Sequence, residues 1–95
     1  MNLEKLERDW NGRGFSFGVG AIKSNDGVDE AAHDDKDEVV VMGQGKYEFI
    51  VSGESFIQEG DVEVYIPAGT RHSIKNVGTQ NSKIYFGYQP INIGR

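Results

Sequence analysis

The sequence predicts a small all-β sandwich or barrel with one short helix at its N-terminus. Its 95 residues are enough for one domain and for a small core. From Gly43 to Gly87, glycines recur at short and nearly regular intervals. The runs between them are rich in β-branched and aromatic residues, a pattern typical of short strands joined by tight turns. We therefore treat residues 1–95 as a single domain.

The helical segment is predicted over residues 1–12. Leu3, Leu6 and Trp10 have the spacing of one helix face, Asn2 can cap the N-terminus, and Gly12 can end the helix. We expect one or two turns that lie across the end of the sheet.

The β-barrel is predicted over residues 15–88, followed by a C-terminal tail over 89–95. Alternation of apolar and polar residues indicates roughly eight to nine strands. The clearest segments are residues 15–23, 38–42, 46–51, 55–58, 62–66, 71–77 and 83–88. Gly18 and Gly20 lie inside the first of these, so they indicate a bulge or close backbone packing and not a dinucleotide-binding loop.

Composition excludes several classes of protein. There is no cysteine, which rules out disulfide scaffolds, thiolate metal sites, iron–sulfur clusters and cysteine nucleophiles. The longest apolar run is the short segment 39–42, far below the ~20 residues needed to cross a bilayer. No basic region followed by an apolar run opens the sequence. We therefore expect a cytoplasmic protein that does not contact membranes.

The net charge of −5 is concentrated in one segment. Residues 26–38 hold seven acidic side chains and a single lysine, whereas the rest of the chain is nearly neutral. Duplex binding needs a basic face, so nucleic acid is not an expected partner. By itself, such an acidic segment is most simply a solvated loop.

Two histidines are present, His33 and His72. His33 is followed by Glu38 at an odd separation, which on a continuous strand would place the two side chains on opposite faces. They can meet only if residues 34–37 form a turn. That segment is rich in aspartate, which favours turns.

The second histidine follows a predicted corner. Pro67 and Gly69 favour a tight turn after the strand 62–66. His72, Ile74 and Asn76 then share one face of the next strand. An imidazole at this position is expected at the mouth of a barrel.

The run Pro67-x-Gly69-x-x-His72-x-x-x-Asn76 resembles the second signature motif of the cupin superfamily. Upstream, His33-x4-Glu38-x6-Gly45 resembles the second half of the first cupin motif. Ala31 occupies the position of that motif's first histidine, and Asn25 that of its leading glycine.

This resemblance implies a double-stranded β-helix, or jelly-roll barrel, of the cupin type. It also implies that His33, Glu38 and His72 bind a divalent transition metal such as zinc, nickel, iron, manganese or copper, with no organic cofactor. Positions left open on the metal would bind a small molecule. Replacing Ala31 with histidine would be expected to add a fourth ligand.

Three functions remain open at this point. The first is an enzyme, a dioxygenase or isomerase acting on a small polar metabolite, whose catalytic residues beyond the metal ligands are unknown. The second is a non-catalytic module that binds or senses a small ligand such as a sugar or carboxylate, with a vestigial metal site. The third is a structural jelly roll without a ligand. A homodimer is expected, formed through the edge strand 15–23 and the apolar tail around 91–93.

Overall fold

The computed structural model describes residues 2–30 and 32–91, excluding the side chains of Asp29 and Glu30. Within these residues it contains one helix and eight strands. In chain order they are α1 (Leu3–Gly12), β1 (Gly18–Ile22), β2 (Gly27–Glu30), β3 (Lys36–Met42), β4 (Lys46–Val51), β5 (Glu54–Glu59), β6 (Glu63–Ile66), β7 (His72–Asn76) and β8 (Ser82–Pro90). β8 thus continues into the range that the sequence assigns to the tail.

The strands form two antiparallel four-stranded sheets. The first has the order β1-β8-β3-β6 and the second the order β2-β7-β4-β5. Every pairing described within the sheets is antiparallel, as in a jelly roll. The predicted all-β jelly-roll barrel with a short N-terminal helix is confirmed.

The barrel interior is filled by side chains from the facing sides of both sheets. On β3, Val40 and Met42 point inward and belong to this core, together with Tyr47 and Phe49 of β4. The aromatic ring of Phe49 stacks on that of Phe56 at a centroid distance of 5.5 Å. Since side chains alternate along a strand, Glu38 also points into the barrel.

β3 is buried on both of its faces. Val39 and Val41 point away from the barrel and form a second apolar cluster with Trp10, Phe15 and Tyr85. This explains the continuous apolar run of β3, which a strand with one solvent-exposed face would not need.

Helix α1 lies over this outer face of the first sheet, so the prediction that it crosses the end of the sheet is wrong. It spans 10 residues, longer than the predicted one or two turns. The side chain of Asn2 caps it as predicted, accepting a hydrogen bond from Lys5 N. Burial of Trp10 against β3 provides apolar contact that a short isolated helix lacks.

The acidic segment is not simply a solvated loop. It contains β2 and the beginning of β3, and β2 pairs with β7 so that Glu30 lies opposite His72. Val28 packs against the barrel core. Val28 is the one apolar side chain of β2, so the sequence gives only a weak indication of a strand here. The strand is formed through its backbone pairing with β7.

The first predicted strand is shorter than expected, beginning at Gly18, and its glycines mark close packing as predicted. A Cβ atom at Gly18 would lie 2.5 Å from Cε2 of Phe86, and one at Gly20 would lie 3.1 Å from Cγ2 of Ile84. The absence of side chains on the inner side of β1 therefore makes room for residues of β8.

Candidate metal centre

A tight corner places His72 at the start of β7. The amide of Thr70 donates a hydrogen bond of 3.2 Å to the carbonyl of Pro67, and Gly69 has φ of +83°. That combination is the geometry of a turn that requires glycine at its third position. The corner predicted from Pro67 and Gly69 is present.

The segment carrying His33 is fastened to the same corner. The chain bends at Asp34 and Asp35 before β3 begins. The amide of Gly69 donates a hydrogen bond of 2.7 Å to the carbonyl of His33. The two histidines, distant in sequence, are therefore held together by the backbone as well as by the site they share.

Asp37 provides a further link that the sequence analysis missed. Its Oδ1 accepts a hydrogen bond of 2.8 Å from the amide of Ala68, inside the corner. A second hydrogen bond, with Tyr65, raises the pKa of that phenol above its ordinary value, and burial adds to the effect. In the sequence, the only indication of this role was that Asp37 immediately precedes Glu38.

The three predicted ligands converge in the barrel. Oε1 of Glu38 lies 3.2 Å from Nε2 of His72 and 3.6 Å from Nε2 of His33. One donor atom from each of the three residues lies within 4.8 Å of the others. The side chains of His72 and Glu38 are only 2% and 6% exposed, and that of His33 is 25% exposed.

The imidazole ring of His72 is oriented by a contact of its Nδ1 atom with the backbone. Its Nδ1 lies 3.1 Å from the carbonyl oxygen of Thr70, which can only accept a hydrogen bond. Nδ1 must therefore carry the proton, and in a neutral ring the lone pair of Nε2 faces the carboxylate of Glu38. A proton or a metal ion between these two acceptors turns their approach into an attraction. The same arrangement, with a carbonyl behind the imidazole, orients histidines that bind metals.

The separations of the donor atoms fit a transition-metal ion. Bonds of about 2.0–2.2 Å to nitrogen and oxygen place neighbouring donors roughly 2.8–3.6 Å apart in octahedral or tetrahedral geometry. The contact of 3.2 Å between Glu38 and His72 lies in that range, and the 3.6 Å contact between Glu38 and His33 lies at its upper end. Two imidazoles and one carboxylate form a donor set that suits zinc, iron, nickel, manganese or copper.

A cavity of about 120 Å³ adjoins Glu38 and His72. It lies between the two sheets, and most of its lining is apolar. The lining residues are Val28, Glu38, His72, Ile74, Ile84, Phe86 and Tyr88.

Tyr88 lies beside the three donors, although the sequence did not single it out. It pairs with Glu38 across β3 and β8, lines the cavity and contacts the ring of His33 edge-on at a centroid distance of 5.6 Å. The ammonium of Lys36 lies 4.3 Å from the centroid of the Tyr88 ring. Nothing in the sequence distinguishes Tyr88 from the other aromatic residues of the strands.

Ala31, the position where a fourth ligand could be introduced, lies outside the described residues. Among the residues that are described, one cluster has metal-ligand character, formed by His33, Glu38 and His72. It coincides with the set predicted from sequence.

Comparison with solved structures identifies the fold. The cupin domain of Cnp3 from Schizosaccharomyces pombe matches with a TM-score of 0.74 at 23% identity, over 82% of this chain and 57% of that chain. The cupin domain of an XRE family transcriptional regulator from Enterobacter cloacae matches with a TM-score of 0.73 at 16% identity, over 87% of this chain and 90% of that chain. The chain is a small domain with the cupin fold.

Similarity to this chain extends to proteins with enzymatic names. A predicted oxalate decarboxylase from Thermotoga maritima matches with a TM-score of 0.75 at 15% identity, over 96% of this chain and 76% of that chain. Among curated proteins, polyketide synthase CurC from Streptomyces cyaneus is 27% identical over 75 residues, which are 79% of this chain and 49% of that protein. The chain therefore spans about half the length of this curated relative. No protein-family model matches the sequence.

Among the described residues, no helix is a membrane-spanning candidate, since α1 is too short and too polar to cross a bilayer.

Proposed function

We propose that this cupin domain binds one divalent transition-metal ion through His33, Glu38 and His72, and that a small molecule binds next to the ion. The convergence of three donor atoms within 4.8 Å, two of them on buried side chains, carries the proposal. A buried carboxylate is costly unless a cation or hydrogen-bond donors compensate its charge. The cavity beside Glu38 and His72 supplies the space for the small molecule.

Each residue of the site has a distinct role. Glu38 contributes one negative charge, and His72 is held with Nε2 toward the ion by its contact with Thr70. His33, the most exposed of the three, closes the site toward the mouth. Three protein donors leave coordination positions free, and a bound ion would supply a Lewis acid or a redox centre there.

An enzyme of the dioxygenase or isomerase type is the function we favour. Its support is the adjacency of the metal donors, the cavity and the Tyr88 phenol, which can donate or accept a proton beside a bound molecule. Two structural neighbours carry names of enzymes, a predicted oxalate decarboxylase and a sugar phosphate isomerase, which is consistent with catalysis on this fold.

A ligand-sensing module is the second candidate. The match to the cupin domain of a transcriptional regulator covers 90% of that domain. The same fold therefore also occurs as one domain of a regulatory protein. In that case the ion and ligand would bind without turnover.

Metal titration of demetallated protein made without an affinity tag tests the proposal. We expect one equivalent of zinc, nickel, iron, manganese or copper to bind, and Glu38→Gln to weaken binding by more than about 100-fold, since even changes behind the ligands cost 10–100-fold. Glu48→Gln, on the outer face of β4, is the matched control and should bind like the wild type. The absence of saturable binding by all five metals would refute the metal site.

Turnover separates the two candidates. Oxygen uptake by the iron- or manganese-loaded protein that depends on an added small molecule supports a dioxygenase. Ligand binding that stabilises the metal-loaded protein, without consumption of oxygen or conversion of the ligand, supports the sensing module instead.

A further inference from the structure

The cavity beside the metal centre has a polar end and an apolar body. Glu38, His72 and Tyr88 lie at the polar end. The remaining walls come from both sheets and carry only hydrocarbon side chains. These are Val28 and Ile74 of the second sheet and Ile84 and Phe86 of the first.

The size of the cavity limits what it can hold. Its volume of about 120 Å³ is somewhat below the ~150 Å³ of an engineered apolar cavity that binds benzene. A compact body of about four to six carbon atoms would therefore fill it. Hydroxyl groups along such a body would face Ile84 and Phe86, where these hydrocarbon walls offer them no hydrogen bond.

The surroundings of the cavity disfavour anions. The middle of the acidic segment 26–38 borders the mouth, since Glu30 pairs with His72 and the carbonyl of His33 is bonded to Gly69. That segment carries seven acidic residues and one lysine, Lys36, whose ammonium faces the Tyr88 ring. A dicarboxylate or a sugar phosphate would meet like charge at the mouth.

We infer that the ligand of this site is a small uncharged molecule with two oxygen donors at one end and a compact apolar body of about four to six carbons at the other. The donors would face the metal, and the body would fill the cavity between the sheets. This inference rests on the proposed metal site. It replaces the small polar metabolite expected from sequence with a molecule that is polar at one end only.

A series of hydroxamic acids bound to the cobalt(II)-loaded protein tests the inference. Acetohydroxamic, isovalerohydroxamic and 1-naphthohydroxamic acid are uncharged when free, share one chelating group that releases a single proton on binding a metal, and differ in the apolar body. Oxalate, a dianion in solution, provides an anionic chelator. The visible absorption of cobalt reports binding, and each affinity is divided by the same chelator's affinity for aqueous cobalt.

We expect isovalerohydroxamic acid to bind about tenfold or more tightly than acetohydroxamic acid after this correction, because three further carbons are buried. 1-Naphthohydroxamic acid should bind more weakly than isovalerohydroxamic acid, since it exceeds the cavity. Oxalate should bind more weakly than all three relative to its solution affinity.

Two variants locate the effect. Val28→Phe should fill the cavity and abolish the advantage of isovalerohydroxamic acid while cobalt still binds, whereas Ile57→Phe, at a position 55% exposed on β5, should leave binding unchanged. Ile84→Ala should enlarge the cavity and improve binding of the naphthyl compound. This second variant adds no bulk, so it keeps the test decisive if Val28→Phe does not fold.

The possible failures are distinguishable. Equal corrected affinities across the hydroxamic acids, with cobalt bound, would overturn this inference and leave the metal site intact. Tightest corrected binding of oxalate would overturn the uncharged class of ligand. Failure of cobalt to bind would overturn the proposed metal site and the inference with it.

Discussion

Oε1 of Glu38 lies 3.2 Å from Nε2 of His72, although the two residues belong to different sheets. Each occupies an inward-facing position at the end of its strand that adjoins the corner 67–70. The contact therefore spans the barrel where the two sheets approach each other. An ion bound by both atoms would link the two sheets in addition to any catalytic role.

Removal of His72 should abolish tight metal binding. His72→Ala should reduce the affinity for zinc or nickel by more than about 100-fold in calorimetric titration, because it deletes a ligand and not only its support. Because His72 is only 5% exposed, we also expect a loss of about 1–3 kcal/mol in the free energy of unfolding.

Ser73→Ala provides the control for this variant, because the side chain of the adjacent residue alternates to the other face of β7. It should bind metal like the wild type. Unchanged metal affinity in His72→Ala would show that the ion, if bound, lies elsewhere.

The clustering of His33, Glu38 and His72 was predicted from the resemblance of the surrounding residues to two cupin motifs. Pro67 and Gly69 fix the corner through backbone preferences, and the aspartates after His33 fix the bend, so each histidine is placed by its near neighbours. Strand β2 was not predictable, since its acidic sequence carries only Val28 as an apolar signal and depends on pairing with β7. The position of α1 was likewise hidden, because it follows from β3 being buried on both faces.

Asp37 should act as a positioning residue for the metal centre. Asp37→Ala removes the acceptor for Ala68 N in the corner that leads to His72, and we expect metal affinity to fall about 10-fold. The pKa of Tyr65 should fall toward its ordinary value, since the hydrogen bond with Asp37 raises it. NMR titration of ring-labelled tyrosine measures this second effect.

Asp35→Ala is the matched control, since it alters an exposed acidic residue near the same bend. Asp37→Asn should restore much of the metal affinity because its amide oxygen can still accept from Ala68. A lowered Tyr65 pKa together with wild-type metal affinity would limit Asp37 to a local structural role.

Glu63 should make the docking of helix α1 dependent on pH. Burial favours the neutral carboxyl, but hydrogen bonds from Arg13 and Trp10 outweigh it and hold the pKa of Glu63 below its ordinary value of 4.5. A group whose pKa is lower in the folded state stabilises that state above its unfolded pKa, and this stabilisation is lost as the pH falls through the folded pKa.

Glu63→Gln should therefore lower the free energy of unfolding at pH 7 by about 1 kcal/mol, a figure reduced for the partial exposure of the pair. The difference from the wild type should shrink progressively below about pH 4. Chemical denaturation followed by Trp10 fluorescence measures it, and Glu59→Gln, an exposed position on β5, is the control. A difference that stays constant between pH 7 and pH 3 would contradict the role of the charge.

The expected homodimer can be tested at the edge of the first sheet. β1 is an edge strand, and Val19 on it is 50% exposed. Open edges favour pairing with another chain. Analytical ultracentrifugation should give about twice the chain mass of 10.5 kDa, and Val19→Lys should shift it to that of the single chain.

Ile57→Lys is the matched control, because Ile57 is 55% exposed on the outer face of the second sheet. It should leave the mass unchanged. The other segment expected at the interface, around residues 91–93, lies mostly outside the described residues. A wild-type mass of a single chain at micromolar concentrations would contradict the dimer.

Gly18 should control the width of the ligand cavity through Phe86. A Cβ atom at position 18 would lie 2.5 Å from Cε2 of the Phe86 ring, so Gly18→Ala forces the ring away from β1. Because Phe86 also lines the cavity, that movement narrows it. We expect Gly18→Ala to weaken binding of isovalerohydroxamic acid to the cobalt-loaded protein about tenfold, with cobalt affinity unchanged and a loss of about 1–3 kcal/mol in stability from overpacking. Gly12→Ala, where a Cβ atom meets nothing within 4 Å, is the control and should alter neither. Full retention of isovalerohydroxamic acid binding in a folded Gly18→Ala protein would show that Phe86 does not set the size of the cavity.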